Sequence, residues 1–277
     1  MNDPAAEIRR YCLEKGADLV GFAPASRWDE RGEVPPPYRP ASIWPGTRTV
    51  IVMGMAMILP IVETTPSVLH LEHYRIVNRR LDELAYDLTR FLNGRGHAST
   101  FFVRDGYTSL RAVRRRPAAF GHVRAAYYAG LGTVGMNSCL LTPRFGPRVR
   151  FVSVFTSLEI PPDPVMEKEQ CIRCETCVRC CPKEAIVPRK DRVVGDFRRD
   201  ACMDMAEELT RRRVYPCGIC TKVCPVGADR KLYPQRGIVK RYLAERETLA
   251  RDPEAGEYRS WEHIRRHGAP DGERDGA

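Results

Sequence analysis

Residues 171–182 read Cys171-Ile-Arg-Cys174-Glu-Thr-Cys177-Val-Arg-Cys180-Cys181-Pro182, and residues 217–225 read Cys217-Gly-Ile-Cys220-Thr-Lys-Val-Cys224-Pro225, with Cys202 between them. The first run is C-x2-C-x2-C-x3-C-P, the spacing of bacterial proteins that carry two 4Fe–4S clusters. Three thiolates two residues apart wrap one cubane on a tight loop, while the fourth, held by its proline, turns to the other cluster. The second run keeps C-x2-C-x3-C-P, with its first cysteine displaced upstream to Cys202. The crossed rule assigns Cys171, Cys174, Cys177 and Cys224 to one cluster, and Cys181, Cys202, Cys217 and Cys220 to the other. Zinc is the competing reading, since tetrahedral thiolate sites also use C-x2-C pairs. Interlocked spacing over eight cysteines favours the clusters.

Working outward, a chain of 277 residues with 43% hydrophobic residues has ample material for one large or two ordinary packed domains. Eleven cysteines in so long and clustered a pattern do not describe a secreted disulfide scaffold. Cluster ligands must stay reduced, which points to the cytoplasm. Cys12, Cys139 and Cys180 are left over and read as buried or incidental thiols. Arg9-Arg10 is followed by Tyr11-Cys12-Leu13-Glu14-Lys15, which is no export signal. The most apolar segment, residues 50–62, contains Pro60 and is shorter than the roughly 20 residues a membrane span needs, so no membrane is expected. A net charge of +10 suits an anionic cofactor, an acidic partner or nucleic acid, and equally a solvated arginine-rich surface.

Asp3-Pro4 starts a helix that Gly16 stops. Residues 19–23 form a short strand, the Pro-rich residues 24–47 an irregular connection, and residues 49–57 a central strand buried on both faces. Apolar residues at 77, 81, 84, 85, 88, 91 and 92 have helical spacing, ended by Asn93-Gly94. Residues 97–103 and 148–158 are strands, residues 118–129 a helix, 160–164 a linker and 239–249 a terminal helix before a polar tail. Gly130, Gly132 and Gly135 match G-x-G-x-x-G, but the run follows a helix and leads to a strand, whereas a dinucleotide fingerprint does the reverse. It is either a glycine turn or a loop whose backbone approaches a large flat cofactor.

The run Ala129-Gly-Leu-Gly-Thr-Val-Gly-Met-Asn137, then Leu141-Thr-Pro-Arg-Phe-Gly-Pro-Arg-Val-Arg150, then the two cysteine runs resemble the epoxyqueuosine reductase and reductive dehalogenase superfamily, as does Pro45-Gly46-x-Arg48-x-Val50-Ile51-Val52. The resemblance covers about residues 5–230. It implies an α/β (α+β) fold: a nitroreductase-like core over residues 1–160, a bacterial-type two-cluster ferredoxin domain over 161–230, and a C-terminal helix and tail over 231–277. It further implies a base-off cobalamin against Gly130, Leu131, Gly132, Gly135, Asn137 and Arg148, with no lower axial histidine, since no D-x-H-x-x-G occurs. In such chemistry the cofactor's metal reacts, and the protein supplies a dry pocket, a proton donor and an electron wire.

Two departures weaken a tRNA substrate. The acidic residue of epoxyqueuosine reductases, in a D-x-x-P-like stretch before the glycine loop, is replaced by Arg114-Arg115-Arg116-Pro117, and the sequence ends soon after the clusters. His122, eight residues before Gly130, is then the first candidate proton donor, with Tyr127 and Tyr128 next and Tyr107 and Asp105 behind them. The basic residues 111–116 could meet a cofactor phosphate or an anionic substrate. The expected activity is a cobalamin-dependent iron–sulfur reductase of a small organic substrate or modified nucleoside, fed by a low-potential donor such as ferredoxin or flavodoxin. The rivals are an electron-transfer protein serving a partner enzyme or corrinoid protein, and a flavin-containing iron–sulfur reductase.

Overall fold

The computed structural model describes residues 3–104, 112, 114, 118–232, 237–252 and 255. The chain folds into two compact units, the first made of Met1–Ala56, Val77–Thr133 and Val149–Lys168, the second of Met57–Ile76, Val134–Arg148 and Glu169–Ala277. Residues 57–76 and 134–148, kept with the first 160 residues in the sequence reading, therefore pack with the cysteine-bearing segments.

The first unit is α+β. Its sheet comprises β1 (Leu19–Pro24), β2 (Thr49–Ala56), β3 (Ser99–Phe102) and β4 (Val149–Thr156) in the order β1-β2-β4-β3, antiparallel throughout. Ile51 pairs with Phe22 on one side and Val154 on the other. Side chains alternate across a strand. Ile51, Met53, Val152 and Val154 accordingly share a core with Ile8 and Cys12 of α1 (Pro4–Glu14) and with Leu81, Leu84 and Leu88 of α2 (Val68–Asn93). Phe155 faces the other way, meeting Phe120 edge-on at 4.8 Å, next to α3 (His122–Tyr128). With both faces covered, β2 is buried from Thr49 to Met55. Its uninterrupted apolar run thus serves an antiparallel strand, though such runs are typical of parallel ones.

Helix α1 is capped by Asp3, whose carboxylate accepts the Ala5 N–H at 2.9 Å, with Pro4 at the first helical position. Residues 24–47 are less irregular than their prolines imply. They hold the short helices Arg27–Arg31 and Pro40–Ile43 and a 3-10 turn Pro36–Tyr38, because Pro36 and Pro40 stand where a helix has no use for the N–H. Helix α2 begins at Val68, upstream of its apolar stripe, with Ser67 Oγ accepting the His70 N–H at 3.1 Å. The linker at 160–164 is pinned: Asp163 accepts from Arg9 at 2.9 Å and from the Phe22 N–H at 2.9 Å.

The second unit repeats a local motif. Glu175 (φ 56°) precedes the one-turn helix Thr176–Arg179, and Gly218 (φ 61°) precedes Ile219–Lys222, so the two C-x2-C-x3-C-P runs share one backbone solution. Cys202 is carried by α4 (Arg199–Arg211). The terminal helix α5 (Ile238–Arg251) is fastened by buried polar contacts. Tyr242 donates to both oxygens of the fully buried Glu63 at 2.9 Å, Arg230 pairs with the same carboxylate, and Lys222 pairs with Glu245. Among the described residues no helix is long and apolar enough to cross a membrane.

Leu81 has no exposed surface and lies at the centre of the first core. Leu81→Ala should cost about 2–5 kcal/mol, read as a lowered midpoint in a urea titration followed by tryptophan fluorescence.

Candidate functional site

Eight cysteines of the second unit interact in two sets. Cys217 is pushed up by burial and then by Cys220, Cys202 and Cys181. Cys202, raised to about 11, is shifted by burial and then by Cys220 and Cys181. Cys177, raised to about 12 chiefly by burial, feels Cys220 and then Cys224, Cys174 and Cys171. Cys224, raised to about 11 by burial, feels Cys174 and is eased by Arg148 and Arg230. Cys220 of the second set thus also acts on Cys177 of the first. A small concave space is lined by Cys171, Cys174, Cys177 and Cys224, together with Met136 and Leu141.

Donors are aimed at the sulfurs. Ala185 N–H points at Cys181 Sγ at 3.2 Å and Thr176 Oγ1 at Cys174 Sγ at 3.4 Å. Backbone N–H groups of Ile219, Thr221 and Val226 bond Cys217, Cys220 and Cys224. Bare, these thiols resist ionisation, because burial and mutual repulsion disfavour thiolates. Bound iron reverses this balance, since a coordinating thiol is deprotonated outright. The donor set fits thiolate-held clusters. Among the described residues no three His, Cys, Asp or Glu side chains converge on a single ion, whereas a cubane spreads its ligands over a cluster.

Of the leftover thiols, Cys12 and Cys180 are buried in apolar packing. Cys139 hydrogen-bonds Cys220, and this contact leads burial in pushing Cys220 well up. Sequence spacing gave no sign of that pair. Asn137 donates one amide N–H to Cys220 O at 3.2 Å and accepts the Cys139 N–H at 3.2 Å. Arg148 is fully buried and uses every N–H: Nε and Nη2 on Asp229 at 2.6 and 2.7 Å, Nη2 also on Val226 O, and Nη1 on Cys224 O and Thr221 O.

The glycines have internal reasons. Gly130 (φ 72°) ends α3 in a Schellman turn, its N–H bonding Tyr127 O while Leu131 N–H bonds Ala126 O, both at 3.0 Å. A Cβ there would collide with Pro164 O. Leu131 fills the space that Gly21 leaves, and Gly132 is buried. A Cβ at Gly135 would lie 2.6 Å from Leu141.

His122 is held at both nitrogens, Nε2 donating to Val103 O at 3.0 Å and Nδ1 meeting Ser153 Oγ at 2.9 Å. A carbonyl only accepts, so Nε2 carries the proton of the neutral ring and Nδ1 accepts from Ser153. Tyr127 accepts from Arg31 at 3.3 Å. Tyr128 differs. It is fully buried, edge-on to Trp28 at 4.9 Å, and its hydroxyl has no partner among the described residues. Burial, and then the Glu33 carboxylate, push its pKa up to about 12. This orphaned hydroxyl is the observation in the first unit that fits a bound polar group. Asp105, Tyr107, Arg111, Arg115, Arg116 and Pro117 lie outside the described residues.

No family model matches the chain. The tetrachloroethene reductive dehalogenase of Desulfitobacterium hafniense is 31% identical over 147 residues, 52% of this chain and 24% of that protein. The epoxyqueuosine reductase of Pseudomonas aeruginosa is 27% identical over 213 residues, 68% of this chain and 53% of that protein. The chain thus spans about a quarter to a half of the curated relatives' length. Among solved structures, a catabolic reductive dehalogenase in complex with 3-bromo-4-hydroxybenzoic acid aligns with a TM-score of 0.63 at 21% identity, covering 89% of this chain and 35% of that one. The epoxyqueuosine reductase of Streptococcus thermophilus aligns at 0.53 and 16% identity, covering 80% and 65%. These likenesses show a shared fold.

If Gly130 is required by the turn and by Pro164, Gly130→Ala should destabilise the protein by about 1–3 kcal/mol with no cofactor added. Urea titration of the cofactor-free protein checks this.

Proposed function

We propose that this chain, which belongs to the superfamily of epoxyqueuosine reductases and reductive dehalogenases, is an iron–sulfur reductase. The observation that carries the reading is the sorting of eight cysteines into the sets 171/174/177/224 and 181/202/217/220, each met by N–H or O–H donors. On this reading residues 169–252 act as a two-cluster ferredoxin-like module, and the first unit as a nitroreductase-like core. The clusters when bound supply single-electron carriage, and a cobalamin would supply the reactive metal. The flavin alternative has no support among the relatives.

The chain's own residues have separable duties. The cysteines would hold the two clusters, and Cys220 acts electrostatically on Cys177 of the other set. Cys174 is exposed beside Ile172, which is 66% exposed, so the first set offers the entry point for an external donor such as ferredoxin or flavodoxin. Arg148 positions the Cys224 loop and has no N–H left for a cofactor. Tyr128 Oη keeps its proton at neutral pH, buried beside Glu33, Arg31 and Arg124, and a phenol so held can protonate a carbanion-like product. It is a better acid candidate than His122, whose ring is engaged on both sides. The substrate class remains that of the family, a small organic molecule or a modified nucleoside.

Two variants test this. Cys224→Ala should abolish the cluster of Cys171, Cys174 and Cys177 and spare that of Cys217 and Cys220, read by iron and sulfide analysis and EPR. Loss of the other cluster instead breaks the crossed assignment. Tyr128→Phe should leave cluster content unchanged and lower turnover by about 10²–10⁴, measured with chemically reduced protein on a panel of organohalides and modified nucleosides. Turnover near wild type would remove Tyr128 as the acid.

A further inference from the structure

The second unit holds a buried imidazole that no described residue answers. His70, in the first turn of α2, is 1% exposed, and neither ring nitrogen has a hydrogen-bond partner among the described residues. A buried polar group left unpaired is costly, so the orphan asks for a partner beyond the described residues. Its position says which. A Cβ built on Gly218, between Cys217 and Cys220, would lie 3.0 Å from His70 Nε2. The flanking backbone is fixed: Ser67 Oγ accepts the His70 backbone N–H at 3.1 Å, and Thr65 Oγ1 donates to Cys217 O at 2.6 Å.

The groups that act on the ring electrostatically cannot serve as its acceptor. Lys222 only donates, and its ammonium is used on Thr65 O at 3.1 Å and on Glu245. His73 Nε2 already accepts the Ile58 N–H at 2.9 Å. What remains beside the Cys217–Cys220 loop is the cluster that the loop would wrap, and its sulfurs only accept. Resting on the cluster reading above, we propose that His70 donates an imidazole N–H to a sulfur of the cluster held by Cys181, Cys202, Cys217 and Cys220, and so raises that cluster's reduction potential. A donor bonded to sulfur favours the more negative, reduced form. Electrons entering beside the exposed Cys174 would then run downhill from the first cluster to the second.

The test uses anaerobically purified full-length protein whose iron and sulfide content is measured first. In EPR-monitored redox titrations, His70→Phe should lower one of the two midpoint potentials and leave the other unchanged. At fixed potential the affected cluster's reduced-to-oxidised ratio should drop about tenfold, ~59 mV for one electron. His70→Gln, which restores an N–H, should recover part of the shift. Unchanged potentials in His70→Phe at full iron content would overturn the proposal. Should that variant fail to take up clusters, wild-type protein labelled with ¹⁵N-histidine decides. Pulsed EPR of the reduced state should show a coupled ¹⁵N that is lost in His70→Gln, and no coupling overturns the inference. Wild-type protein without iron and sulfide would instead overturn the cluster reading itself, a result seen before any potential is measured.

Discussion

Eight thiols gathered into two mostly half-buried sets repel one another once ionised, and the second unit is arranged around that repulsion. Burial and neighbouring sulfurs hold Cys177, Cys202 and Cys217 protonated until a cation is supplied. The backbone answers with N–H groups directed at sulfur, and left-handed Glu175 and Gly218 bend the chain tightly enough to present them. Arg148 and Arg230 add positive charge beside Cys224. A thiolate stabilised by fixed dipoles and cations needs less from the iron, which is how protein surroundings adjust a cluster's stability and potential.

The same cations do mechanical work. Arg148 joins Asp229 and three carbonyls of residues 221–226, fixing the loop that carries Cys224. Lys222 and Arg230 reach Glu245 and Glu63, and Tyr242 completes that buried group. Breaking one partner of such a pair leaves a charge stranded, a penalty of about 3–5 kcal/mol. The terminal helix is therefore tied to the ligand loops by polar contacts as well as by the packing of Tyr242 on Cys180, Ile219 and Val223.

The glycine run shows how a motif can carry two readings. Gly130 sits where α3 must reverse into a left-handed turn, and the pinned linker carbonyl of Pro164 takes the space a side chain would need. That explanation needs no cofactor. Tyr128, two residues earlier, points the other way, since its fully buried hydroxyl has no partner among the described residues. In this segment the candidate functional signal lies in an unsatisfied atom and not in the glycines that drew attention to it.

The sequence by itself singled out eight cysteines, six of them in two C-x2-C-x3-C-P runs whose loop geometry is local. It also determined most of the first sheet and α1, where periodicity and capping are local. Only the tertiary structure decided that residues 57–76 and 134–148 pack with the cysteines, that His122 is tied at both nitrogens while Tyr128 is not, and that His70 lies against Gly218. Each of those depends on partners far along the chain, such as His70 and Gly218 or His122 and Ser153. A hydrogen bond made or missed across such a distance leaves no period or spacing in the sequence.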